Sequence, residues 1–324
     1  MITYEEYRLR TLVEDGRWPE LLSAYRQARA AAVARVGEER AAAATASLGH
    51  LIAYSAPPEL SVRLFDPDGG PGSAAGVADH DAGPLWEVLA TRHSWLRLAP
   101  LLGPAPVRRL VAHTRVLIGE DLSYGAEPDP EGVPLMLEPW EAAGWGEGVR
   151  VRDYLPAGGS RSALLTLPAT REGLGPVLLP EPAGRLRGQR TTRVLAALAE
   201  WTEVVCVRGP ASQAAAQLAP GRRITGGYLP FAIAYPVLVQ AGTAERSRGS
   251  ADARLALWRA LGAMAGGGGP LGGTGVNRAE VNALVARMRC FTWWDPSDDL
   301  RHLHLAMEDP ATGLAWAVSG SDEP

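Results

Sequence analysis

In the first third of the chain, apolar residues recur at helical spacing. Leu21, Leu22, Tyr25, Ala28, Ala32, Val33 and Val36 share one stripe of a helix that Pro19 opens at its first turn, and a further helix is expected over 38–54. Upstream, Thr3 with Glu6 three positions on fits a capping box, and Asp15-Gly16 ends that first helix. A stretch of Asp, Pro, Gly and Ala over 66–84 reads as a loop, after which helices resume near Leu85 and over 106–122. Short helices joined by short turns predict a bundle or an α-solenoid-like array over 1–123.

A Pro- and Gly-rich connector over 124–148 follows, and beyond it the period changes. Val149 to Arg152 and Leu164 to Leu167 read as strands, and Thr191 to Glu200 as a helix. A buried strand at Val204 to Val207 leads through Gly209-Pro210 into a helix over 211–218 and a strand from Ile224, one βαβ unit. Helices over 252–265 and 279–288 come next. Last, alternation through Leu303, Leu305 and Met307, a turn over 309–313, and renewed alternation through Leu314, Trp316 and Val318 predict a half-buried β-hairpin. The expected class is α+β or α/β: a helical domain over 1–123, the connector over 124–148, and a mixed α/β domain over 149–324 ending in the hairpin.

Composition narrows the classes of partner and chemistry. The 324 residues are 46% hydrophobic, enough for a substantial core, and the net charge of −4 gives no global field for a polyanion, which argues against nucleic acid. All 32 basic residues are arginine, so Schiff-base chemistry on lysine and a phosphate-loop lysine are excluded. Arginine, alanine and glycine enrichment points to a GC-rich bacterial source. Cys206 and Cys290 have no neighbours at metal-binding spacing and read as reduced thiols, while the N-terminal residues lack a secretory pattern. The longest apolar run, 228–242, contains two prolines and falls short of the roughly 20 residues of a membrane span. A cytoplasmic protein without membrane contact is expected.

Three strings stand out together: His113-Thr114-Arg115-Val116-Leu117-Ile118-Gly119-Glu120-Asp121-Leu122, then Leu137-Glu138-Pro139-Trp140-Glu141, then Glu308-Asp309-Pro310 followed by Gly313-Leu314-Ala315-Trp316-Ala317. Through them the chain, from about residue 107 onward, resembles an uncharacterised actinobacterial family known only as a domain of unknown function. That resemblance implies no activity, ligand or catalytic residue.

Candidate chemistry is sparse. His302 and His304 leave one face of a strand with Cα atoms roughly 6.6 Å apart, close enough to share a metal ion. Glu308 has the same parity but lies about 13 Å beyond His304, so a third ligand would come from Asp298, Asp299 or His113. The alternative for this pair is a solvated outer strand face. Glu120 and Asp121 follow a glycine at the end of a helix, where acidic groups oppose the macrodipole; such a conflict marks either a helix that stops earlier or a site. His113, about 10.5 Å away along the helix axis, does not share a proton with Glu120. Arg246, Arg248 and Arg254 could form an anion pocket beside an exposed member of Trp293-Trp294, against a bland reading of core tryptophans and solvated arginines. The glycine runs Gly266 to Gly269 and Gly272 to Gly275 follow a helix instead of a strand, which favours a linker over a phosphate loop. No nucleophile elbow, zinc-protease helix or dinucleotide fingerprint occurs, and no cofactor is implied. The expectation is a cytoplasmic, non-catalytic interaction or ligand-binding protein. The competing expectation is a cytoplasmic enzyme, with or without a metal, whose site lies between the two domains, His113, Glu120 and Asp121 on one wall and His302 and His304 on the other.

Overall fold

The computed structural model describes residues 11–66, 84–103, 106–145, 148, 150–156, 158–167, 174–243, 248–266, 275–295 and 301–322. The capping box at Thr3 and Glu6, most of the loop over 66–84, most of the glycine runs, and Arg246, Asp298 and Asp299 lie outside them. The chain divides into two compact units: Met1–Leu122 with Val151–Ser162 and Glu245–Asp252, and Ser123–Arg150 with Ala163–Ala244 and Ala253–Pro324. Among the described residues, no helix is long and apolar enough to cross a membrane.

The first unit is helical. Helix α1 (Trp18–Val36) packs on α2 (Glu38–Ser55), α2 on α3 (Leu85–Arg92), and α3 on α4 (Val107–Ile118). Leu21, Leu22, Tyr25, Ile52, Val88, Leu89 and Val111 meet in one apolar core. The stripe on α1 departs from expectation at two places: Ala28 and Val36 are exposed, and Arg29 turns inward. Of the strands expected at Val149 to Arg152 and Leu164 to Leu167, Val149 lies outside the described residues; among the described ones regular pairing in this part of the chain is confined to β1 (Asp153–Tyr154) and β2 (Ser160–Arg161), an antiparallel pair. Leu164 to Leu167 stays irregular because a side chain occupies its backbone groups: Gln240 accepts from the Leu165 N–H at 2.6 Å and donates to the Ala163 carbonyl at 2.6 Å.

Glu87, fully buried on α3, ties the separate stretches of the first unit together. Its carboxylate accepts from the Ser250 N–H at 2.6 Å and the Ser250 hydroxyl at 3.3 Å, and lies beside Tyr154 and Arg152. His50 on α2 sits 2.7 Å from the Leu155 carbonyl, a second tie to the same stretch. Burial pushes the Glu87 carboxyl up, and the Arg152 charge with the Ser250 hydrogen bonds offsets this only in part. A carboxyl raised on folding contributes stability that is complete below the ordinary carboxylate range and is lost as pH rises through the folded value. Glu87→Gln, isosteric and neutral, therefore gains in stability relative to the native protein as pH rises above the ordinary carboxylate range. Parallel urea melts at several pH values check this; a stability difference that stays constant with pH refutes it.

The second unit is built on a six-stranded sheet, entirely antiparallel, which makes the protein α+β. Its elements in chain order are α5 (Pro139–Trp145), β3 (Gly175–Leu178), α6 (Arg190–Ala196), β4 (Glu203–Arg208), α7 (Ala211–Ala215), β5 (Arg223–Leu229), α8 (Phe231–Gly242), α9 (Ser250–Met264, which counts to this unit from Ala253 onward), α10 (Arg278–Arg287), β6 (Arg289–Trp294), β7 (Arg301–Asp309) and β8 (Leu314–Asp322). The strands lie in the order β3-β5-β6-β7-β8-β4. The βαβ expectation is corrected accordingly: β4, α7 and β5 do follow one another, but three strands separate β4 from β5. Helix α7 crosses the sheet face between them, and its Ala211, Ala214 and Ala215 pack on Ala306, Ala315 and Ala317. Small side chains on both surfaces permit that close approach.

The hairpin forms as its alternation predicts, with Glu308 opposite Ala315 and Asp309 opposite Leu314. Its turn is pinned by Asp309, which accepts from Arg287 at 2.6 Å and from the Ala311 N–H at 3.1 Å. Those Arg287 hydrogen bonds hold the Asp309 carboxyl below its ordinary value. The hairpin is not half-buried, however. Leu303, Leu305 and Met307 on one face and His304, Ala306 and Glu308 on the other are all buried.

Both cysteines are free and buried. Burial pushes the Cys206 thiol up to about 11 and the Cys290 thiol up to about 12. Neither supplies thiolate at neutral pH, so a thiol reagent at pH ~8 should label both only in denaturant. Rapid labelling of the native protein, read by mass spectrometry, would count against this packing.

Candidate functional site

The strongest candidate is a cleft at the edge of β4. That strand pairs with β8 on one side only. On its other side the chain starts a second antiparallel ladder, with Arg185 opposite Val207 and the Leu186 N–H donating to the Cys206 carbonyl at 2.8 Å. The ladder stops because Gly188, at φ 73°, takes a left-handed conformation that suits glycine and turns the chain into α6. As the chain peels away it leaves a cavity of about 600 Å³, within the size range of small-molecule sites. Arg185, Arg187, Thr192 and Arg193 line one side, and Val204 and Val205 line the other.

The cleft is electropositive. Arg185 is balanced, donating to Glu203 at 2.6 Å and to the Gln217 side chain at 2.8 Å. Arg187 and Arg193 are exposed and have no carboxylate partner among the described residues. Since Cys206 presents its carbonyl to this edge, Val204, two residues back, turns its own N–H and carbonyl the same way. The cavity thus offers two fixed cations, a backbone donor and an apolar wall.

The residues singled out from sequence are placed differently. His304 is buried, with Nδ1 2.8 Å from the Ser319 hydroxyl and its ring stacked on Trp293 at 5.3 Å and on His302 at 5.8 Å between centroids. The solvated face expected for this pair is corrected for His304, whereas His302 is half-buried. Glu308 accepts from the first N–H of α7, that of Ala211, at 3.0 Å, instead of reaching toward the histidines. Among the described residues, no group of three or more His, Cys, Asp or Glu is placed to hold a metal ion. Of the tryptophan pair, Trp293 is buried and Trp294 is 39% exposed.

The helix ahead of Glu120 and Asp121 stops before them. Helix α4 ends at Ile118, and Gly119 at φ 113° caps it by donating to the Arg115 and Val116 carbonyls. The macrodipole conflict disappears, because Glu120 lies outside the helix and accepts from Arg115 at 2.5 Å and from the Trp95 N–H at 3.1 Å. His113 is buried within α4, and Asp121 is exposed beyond it. His113, Glu120 and Asp121 belong to the first unit, and His302 and His304 to the second.

The anion pocket expected from Arg248 and Arg254 does not form. Arg248 pairs with Asp252 at 3.8 Å. Arg254 is fully buried on α9 and forks onto Glu141 through Nε at 2.8 Å and Nη2 at 2.9 Å. Glu141 also accepts from Tyr235 at 2.6 Å, Trp258 at 3.0 Å and the Glu138 N–H at 3.0 Å. Burial alone would push its carboxyl up; the Arg254 charge and these hydrogen bonds outweigh that and hold it below its ordinary value. Every donor in this network is used internally, as expected of structural polar groups. Arg187 and Arg193, which line the cleft without a carboxylate partner among the described residues, are not among the candidates drawn from the sequence. The signal was there: Arg185, Arg187, Arg190 and Arg193 follow one another with no carboxylate between them.

No protein-family model, no curated protein and no solved structure matches the chain.

Proposed function

We propose that the chain is a non-catalytic ligand-binding protein of the cytoplasm whose β4-edge cleft holds a small anion. One observation carries the reading: the ionisable groups lining the cleft are three guanidiniums and the Cys206 thiol. Guanidinium does not give up its proton in proteins, and burial keeps the thiol protonated at neutral pH. The cleft can therefore attract and orient a negative group but has no side chain to act as general acid or base near pH 7. Two free, buried cysteines suit a reducing compartment.

Thermal melting of the whole chain against a panel of small carboxylates, sulfates and phosphates tests this. A ligand at about 100 times its Kd should stabilise the protein by about 2.7 kcal/mol, and Arg187→Ala or Arg193→Ala should remove the gain. Turnover of a panel compound that survives both substitutions would favour an enzyme instead.

A further inference from the structure

We infer that the anion is a phosphate monoester, its dianion held between Arg187 and Arg193 and its organic part resting against Val204. This deepens the binding reading above and rests on it. Charge complementarity selects the class. Arg185 is already matched by Glu203 at 2.6 Å, so among the described residues the lining presents two uncompensated positive charges, from Arg187 and Arg193. A carboxylate, a sulfate ester or a phosphodiester brings one negative charge and leaves one guanidinium unmatched. A phosphate monoester above its second ionisation brings nearly two, with three terminal oxygens for two planar donor forks. The Gln189 side chain, also in the lining, and the outward N–H of Val204 add neutral donors beside the charged pair. A polynucleotide fits less well, because the lining offers one pair of unmatched guanidiniums and no continuous basic track.

Phenyl phosphate and phenyl sulfate share body and tetrahedral shape but differ in charge, which makes them the probes of choice for calorimetry on the full chain at pH ~7.5, with inorganic phosphate as a third. Phenyl phosphate should bind at least about tenfold tighter than phenyl sulfate, and Arg187→Ala and Arg193→Ala should each lower its affinity by at least about tenfold. Exposed Arg223, on β5 and outside the cleft, provides the control: Arg223→Ala should leave affinity unchanged. Because guanidinium does not titrate, affinity should fall between pH ~7.5 and ~5 with the second ionisation of the ligand near 6. Equal affinity for sulfate and phosphate, dependent on both arginines, would overturn the phosphate assignment and leave anion binding standing. Binding indifferent to Arg187 and Arg193, or no binding of any of the three probes at millimolar concentration, would overturn both.

Discussion

Arg254→Ala and Glu141→Ala should each destabilise the second unit by about 3–5 kcal/mol, the usual cost of stranding one member of a buried ion pair. Both side chains are completely shielded from solvent, and Glu141 also receives Tyr235 and Trp258, so either truncation leaves several polar groups without partners. Replacing both at once, with Glu141→Leu and Arg254→Met, should cost much less than the sum, because no buried charge remains. Urea unfolding followed by tryptophan fluorescence measures all three. A loss below about 1 kcal/mol for the single variants would mean that water takes the missing partner's place. The pH dependence runs opposite to that of Glu87. A carboxyl lowered on folding contributes stability that is present above the ordinary carboxylate range and is lost as pH falls through the folded value. Acid therefore works against the Glu141 network while it favours the Glu87 tie.

Gly144→Ala should destabilise the protein by about 2–3 kcal/mol, although alanine is the better helix former by about 1 kcal/mol. A Cβ at Gly144 on α5 would come 1.9 Å from the Ala232 carbonyl oxygen and 3.0 Å from Pro236 Cδ on α8. The close approach originates in the sequence of α8. Pro236 has no N–H, so the Ala232 carbonyl, four residues earlier, lacks its helical partner and faces the α5 backbone instead. Room for it exists only while residue 144 has no side chain. Thermal or urea melts would show the effect; unchanged or greater stability would mean that α5 and α8 can separate at no cost.

The sequence reveals elements whose signal is local. The hairpin was legible because its alternation and its Asp309-Pro310 turn lie within one short segment, and α10 because Asn277 caps it, accepting from the Ala279 N–H at 3.0 Å. Helix α4 was legible except at its end, where the role of Gly119 depends on a left-handed φ that composition alone does not fix. What escaped depends on distant partners. Gly175-Pro176-Val177-Leu178 forms β3 only because β5 offers it an edge, and Arg254 looks like one surface arginine among several until Glu141 is placed beside it. The candidate cleft was hidden for the same reason: four arginines spaced along a loop make a cavity only after Gly188 turns the chain away from β4.

The order of strands also bears on how the sheet assembles in time. Strands β6, β7 and β8 are neighbours in both sequence and space, joined by hairpin pairings, so they can form early from local contacts. Strand β4 is synthesised long before its only strand partner in the sheet, since Glu203 waits for Ser319 and Arg208 for Leu314. On the ribosome, its apolar residues Val205 and Val207 have no sheet to join until the C-terminal hairpin emerges, and closing so long a loop is entropically slow. Refolding should therefore show the β7–β8 hairpin structured in the transition state and β4 docking afterwards, with the arginine cleft the last part of the sheet edge to take shape.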